Sequence, residues 1–142
     1  MQDKIKIKIV SKVTRNDFIL LYKDAGWWRE TFDADTSFIE KIAANSFCFV
    51  GAFLDGRMIG MGRALSDGSS DAYIQDVTVL KEFRGKGIGK KIILKLLEFL
   101  QSKGVDWIGM VGEPGTEEFY KPLGFKRLES HIPMIYSLNE NS

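Results

Sequence analysis

The chain has 142 residues, with 20 Lys and Arg against 19 Asp and Glu, a formal charge of +1, and 44% hydrophobic and 27% charged side chains. That length suits a single domain spanning residues 1–142 with one core, and the composition excludes a disordered or fibrous chain. The near-balance of charge excludes the overall basic footprint of a nucleic-acid or membrane-surface binder, so neither partner is expected.

In chain order, Lys4 to Val10 alternate charged and aliphatic residues with the period of a half-buried strand. The same alternation is unlike the continuous apolar run of a signal peptide, and no stretch is long enough to span a bilayer, which predicts a cytoplasmic protein. Thr14 is placed to cap a helix whose apolar face carries Phe18, Leu21 and Tyr22 and which stops near Gly26. Ser37 caps a second helical segment through Ala44, with Glu40 completing a capping box. Phe47–Leu54 and Met58–Leu65 are apolar strands joined by Asp55-Gly56, a dipeptide suited to a tight hairpin. "SDGSSD" makes a second turn into the strand "AYIQDVTVL", completing an antiparallel meander.

Ile88, Ile92, Ile93, Leu96, Leu97 and Leu100 line one face of a long helix that Gly104 ends. "VDWIGMV" follows as a strand parallel to the one before the helix. Thr116 to Leu123 reads as a short helix, and "GFKRL" and "IPMIYSL" as a closing hairpin. The predicted order is β-α-α-β-β-β-α-β-α-β-β, an α/β (α+β) fold with a mixed, mostly antiparallel sheet and helices on both faces. Cys48 is the lone cysteine and His131 the lone histidine, so neither a disulfide within the chain nor a Cys/His metal cluster is available and no metal is expected. Cys48 reads as a small apolar strand residue.

The chemistry concentrates in "FRGKGIGKK", residues 83–91. A P-loop would follow Gly89-Lys90 with Ser or Thr, but Lys91 stands there; a dinucleotide fingerprint would space its glycines differently from Gly85, Gly87 and Gly89. What remains is a loop whose N–H groups, uncrowded at the glycines, lead into a helix N-terminus with Arg84, Lys86, Lys90 and Lys91 around it. Such a loop suits a pyrophosphate.

Arg84 to Gly89 resembles the Q/R-x-x-G-x-G/A signature of the GNAT superfamily of N-acetyltransferases, placed after the strand ending "VTVL" and at the start of a long amphipathic helix. Phe119-Tyr120-Lys121-Pro122-Leu123-Gly124-Phe125 resembles the F-Y-x-x-x-G-F segment of the same family. The resemblance implies the GNAT fold along nearly the whole chain and acetyl-CoA as co-substrate. It implies that the backbone of Val77, Thr78 and Val79 holds the pantetheine arm, and that Arg84, Gly85, Lys86, Gly87, Ile88, Gly89 and Lys90 hold the diphosphate. The resemblance also implies that the amide near Val77 polarises the thioester and that Tyr120, beside Phe119, is the general acid. Glu113 stands where many relatives have an Asn that contacts the arm; a carboxylate accepts there but does not donate.

Some family members carry Glu where this chain has Gln75, and an amide takes no proton at neutral pH. Gln75 is left to orient water or substrate. Asp76, expected by alternation on the opposite face from Gln75, is given a structural role beneath the loop. Asp71, Tyr73, Asp24, Glu30 and Asp33 remain base candidates by proximity, alongside a water chain or an acceptor deprotonated in bulk. Trp27 and Trp28 border the expected acceptor site; each either walls the pocket, where it would suit a cation, or covers the edge of the core. Tyr73 is a further acceptor-side candidate. The expected acceptor is a small-molecule amine, with a peptide amine second. The other functional class is a non-catalytic acetyl-CoA-binding module that regulates a partner protein. A homodimer through the C-terminal strands is compatible with the sequence.

Overall fold

The alternating Lys and Ile residues near the N-terminus form a short strand, β1 (Lys6–Ile9), at the edge of a five-stranded sheet in the computed structural model, which describes residues 4–138. The chain divides into two units, one ending at Met110 and the other beginning at Val111. The first contains α1 (Arg15–Ala25), α2 (Phe38–Asn45), β2 (Cys48–Leu54), β3 (Arg57–Leu65), β4 (Asp71–Val79), α3 (Ile88–Ser102) and β5 (Trp107–Met110). The strands lie in the order β1-β2-β3-β4-β5. The first four pair antiparallel and β5 pairs parallel with β4, as the strand–helix–strand pattern predicts.

Local chemistry explains most boundaries. The Thr14 hydroxyl accepts the Asp17 N–H at 3.3 Å to start α1, and Gly26, at φ 81°, ends it with its N–H on the Lys23 carbonyl. Asp55 and Gly56 both take positive φ, 51° and 81°, giving the tight turn between β2 and β3. The expected capping box at Ser37 does not form. Ser37 makes no side-chain cap, and Glu40 is drawn instead to Arg15. A charge-assisted partner outcompetes a neutral backbone donor; the turn is closed by Asp35, which accepts the Ser37 N–H at 2.9 Å.

β2 and β3 are buried almost continuously because helices cover both sides of the sheet. On one face Gly60 and Gly62 of β3 lie under Ile92 and Leu96 of α3. On the other, Arg63 of β3 shares a partner with Tyr22 of α1. Phe18, Leu21, Ile39, Ile92, Ile93, Leu96 and Leu100 are fully buried. Among the described residues no helix is long and apolar enough to cross a membrane.

The second unit holds α4 (Glu117–Tyr120), which runs into a 3-10 turn over Lys121–Leu123 and stops at Gly124, φ 104°. The Arg127 guanidinium grips Glu117 with bonds of 2.7 to 2.9 Å. The expected closing hairpin is not formed: residues 124–138 contain no strand, and Ile132, Met134, Ile135, Tyr136 and Leu138 are 78 to 91% exposed. Apolar runs of that length carry no ladder of their own, and a two-stranded hairpin without a further covering element is marginal.

Candidate active site

Strand β4 departs from regular alternation midway. Gln75 pairs with Arg63 and Thr78 with Met61, so Asp76 and Val77 together stand opposite the single residue Gly62. This is a β-bulge, which releases backbone groups from the ladder and re-aims the strand. Asp76 takes φ 57°, a left-handed conformation that few residues other than glycine adopt. Its Oδ2 accepts hydrogen bonds from the Tyr22 hydroxyl and from Arg63 Nε, each at 2.8 Å. Arg63 Nη2 also donates to Gln75 Oε1 at 3.3 Å. The bulge therefore overturns the expectation that Gln75 and Asp76 face apart: one inserted residue puts both on the α1 side, while Val77 turns to the α3 side beneath Ile92 and Gly62.

The bulge coincides with an opening in the sheet. Pairing of β4 with β5 covers Asp71 to Ile74 and ends at Met110. From Gln75 through Val79 the edge of β4 away from β3 has no strand beside it among the described residues. Beyond that edge the chain turns through 81–87 into α3. Gly85 and Gly87 take φ 79° and 80°, and the space around both is open. Gly87 is the N-cap of α3, supplies no side-chain cap, and no acidic residue lies in the first turn. The first intrahelical bond runs from the Lys91 N–H to the Gly87 carbonyl. The N–H groups of Ile88, Gly89 and Lys90 thus lack helical acceptors, and the positive end of a 15-residue helix has no carboxylate in its own first turn.

Arg84 has a different place. Its N–H bonds the Lys81 carbonyl at 3.2 Å, its Nε the Val79 carbonyl at 2.9 Å, and its Nη2 lies 3.9 Å from Asp24, which also accepts the Lys81 N–H at 3.0 Å. It braces the loop, so the open donors begin at Gly85. Lys86 rests over the Phe83 ring at 5.6 Å, and Lys90 is exposed at the helix start.

In the second unit Tyr120 is flanked edge-on by Phe119 at 4.8 Å and Phe125 at 5.5 Å. Burial, then the charge of Glu113, pushes its phenol above the usual value and keeps the proton on.

Trp28 is absorbed in an aromatic cluster, 5.1 Å from Phe32 and 6.1 Å from Phe38, with its indole N–H on Asp33 at 3.0 Å. Trp27 packs edge-on against Tyr22 at 5.5 Å, next to the residue that reaches the bulge. Tyr73 is half exposed and lies 5.4 Å from Trp107. Of the carboxylates, Asp24 holds the Lys81 N–H, Asp33 holds Trp28 and Asp71 holds the Ser70 hydroxyl. Among the described residues no three His, Cys, Asp or Glu side chains converge as a metal site would require.

Tyr22, Arg63 and the bulge itself are the parts that sequence reasoning missed. Arg63, the one charge inside "MIGMGRAL", was the available signal.

A chain with a mixed sheet, a bulged central strand, a gap beside that strand and an uncapped glycine-rich helix start is built for an extended, anion-headed ligand. The profile described as "Acetyltransferase (GNAT) family" matches residues 14–125, and the chain belongs to that family. It is 31% identical over 119 residues to the uncharacterized N-acetyltransferase ycf52 of Gracilaria tenuistipitata var. liui, a match covering 81% of this chain and 63% of the relative, so the chain spans less than two thirds of that relative's length. Among solved structures it resembles a GNAT-family acetyltransferase of Streptococcus pneumoniae TIGR4, with TM-score 0.78, 25% identity and coverage of 96% of this chain and 99% of that one. The aminoglycoside N-acetyltransferase AAC(6')-Iy in complex with CoA shares the fold at TM-score 0.73 and 22% identity, over 93% of this chain and 94% of that one. The family implies acetyl-CoA as co-substrate, and the open β4 edge together with the donors from Gly85 to Lys90 fits its extended arm and diphosphate.

Proposed function

We propose that this chain transfers the acetyl group of acetyl-CoA to a primary amine by direct attack in a ternary complex, and that the acceptor is a small molecule. The observation that carries the reading is the succession, within one stretch of chain, of bulge, unpaired strand edge and uncapped helix start. Acetyl-CoA supplies an activated thioester carbonyl when bound. The backbone of Val77, Thr78 and Val79 holds the arm as an added strand is held. The N–H groups of Gly85 to Lys90, with Lys86 and Lys90 nearby, hold the diphosphate. Backbone released at the bulge polarises the thioester carbonyl, a contribution of roughly 3–4 kcal/mol where such donors have been removed from other enzymes.

As the family resemblance implies, Tyr120 Oη gives its proton to the thiolate and is made whole by the proton that the attacking nitrogen sheds as the amide forms, and Glu113 accepts an N–H of the arm beside Phe119. Gln75 orients the acceptor without taking its proton. With no base assigned, the acceptor arrives deprotonated. Log kcat/KM is then expected to rise with unit slope up to the amine's own pKa, and a plateau well below it would reveal a base on the protein. Because the Tyr120 proton is held above its ordinary range, its loss should not cut the rate below about pH 10. Tyr120→Phe should lower kcat by about 10²- to 10⁴-fold with little change in melting temperature.

Calorimetric titration with acetyl-CoA, followed by thiol release against a panel of amines and peptides, tests the reading. Binding with turnover on a small amine supports it, and turnover on peptides alone moves the acceptor to a protein amine. Gln75 in place of a carboxylate favours a second reading, a non-catalytic acetyl-CoA sensor, to which binding without turnover would point. Absence of binding removes both.

A further inference from the structure

The bulge is held by side chains from two other elements. Asp76 occupies a left-handed conformation, and such residues persist where their surroundings over-determine them. The surroundings here are specific: a hydroxyl from α1 and a guanidinium from β3 converge on one oxygen, Asp76 Oδ2, at 2.8 Å each. Arg63 also grips Gln75, so its fork spans the two residues immediately before Val77. The clamp is shielded, with Tyr22 only 9% exposed and the Arg63 and Asp76 side chains 14% and 19% exposed. Through Asp76, Tyr22 and Arg63 set the backbone at the bulge.

We propose that Tyr22 and Arg63 are positioning residues for acetyl transfer: by fixing the Asp76 carboxylate they hold the β4 bulge open and aim the backbone at Val77 toward the thioester carbonyl. The inference rests on the acetyltransferase reading above and deepens it. Tyr22 also packs on Trp27, so the clamp links the loop after α1 to the bulge.

The distinguishing readout is the division of effect between kcat and binding. The diphosphate donors lie beyond the clamp and only the Val77 end of the arm's seat adjoins it, so loosening it should weaken CoA binding by no more than a few fold, far less than it lowers kcat. It should lower kcat roughly 10- to 100-fold, the scale of a misaligned polarising donor. Tyr22→Phe removes one oxygen and keeps the ring packing; Arg63→Lys keeps the charge and loses the fork. In ligand-free protein, the Val77 backbone N–H resonance should shift and its hydrogen exchange quicken in both variants. Asp76→Asn, which tolerates the left-handed backbone, should recover more activity than Asp76→Ala.

If both variants melt at lower temperature yet retain kcat and an unshifted Val77 resonance, the clamp is only a stabilising ion pair and the proposal fails. If unmodified protein neither binds acetyl-CoA nor releases thiol, the acetyltransferase reading fails and takes the positioning role with it. These two failures are separable because the first requires a working parent enzyme.

Discussion

The two faces of the sheet in the first unit solve opposite problems with the same strands. Toward α3, β3 presents Gly60 and Gly62, so Ile92 and Leu96 rest almost on the backbone; a Cβ at Gly62 would stand 2.8 Å from Ile92 Cγ2. Toward α1, β3 and β4 present Arg63, Gln75 and Asp76, tied by directional bonds to one another and to Tyr22. The α3 face is packed by apolar side chains against glycine. The α1 face is packed as well, with Phe18 and Leu21 fully buried, and adds a polar clamp over the bulge. The contrast teaches where stability and geometry are separately stored: apolar packing on both faces holds the sheet together, and the clamp on the α1 face sets the local distortion of β4.

Perturbing each face should expose that division. Leu96→Ala removes a fully buried side chain and should destabilise by about 2–5 kcal/mol in denaturant titration. If the contrast holds, the folded fraction keeps its affinity for acetyl-CoA. Asp76→Ala breaks the clamp and leaves an alanine in the left-handed region, costing about 1.5–3 kcal/mol. Asp76→Gly should recover about 1 kcal/mol of that by relieving the backbone while leaving the clamp broken, so stability and kcat part company. Gly62→Ala should cost about 1–3 kcal/mol by overpacking against Ile92; a melting temperature equal to wild type would show that the α3 face is looser than described.

The smallest effect is a rate. Cys48, opposite Ala64 and buried, has its thiol pushed up to about 11 by burial. It should label with thiol reagents at pH 8 only as fast as the α3 face opens, and Leu96→Ala should speed that labelling while Tyr22→Phe does not. An unmodified protein that labels at the rate of a free thiol would contradict the burial.

Much of this was readable in advance, because local signals and tertiary need agreed. Gly26, Asp55-Gly56 and Gly87 all take the positive φ that their residue types suggest, and the apolar stripe of α3 is the buried one. The bulge was not readable. Alternation is a count, and one extra residue leaves no mark on composition; the residue that takes positive φ is an aspartate and not a glycine. Its partners lie 54 and 13 residues away, beyond any local pattern. Glu40 left the expected capping box for a similar reason, since Arg15 claimed its carboxylate from 25 residues off. In the second unit, "IPMIYSL" has the composition of a strand without the ladder that would make it one.

The bulge also makes an unusual genetic lesion available. With Asp76 deleted, Gln75 would still oppose Arg63, Val77 would oppose Gly62, and Thr78 and Val79 would keep Met61 and Gly60, so every side chain would stay on its present face. A lost codon would thus repair the ladder, leave Tyr22 and Arg63 without their shared acceptor, and erase the distortion beside the groove. Such a protein is expected to fold with an unchanged circular dichroism spectrum and to be silent in thiol release. On the mechanism proposed above, a duplicated copy of this chain would in that way become a non-catalytic binder in one step, with the proposed diphosphate seat unaltered.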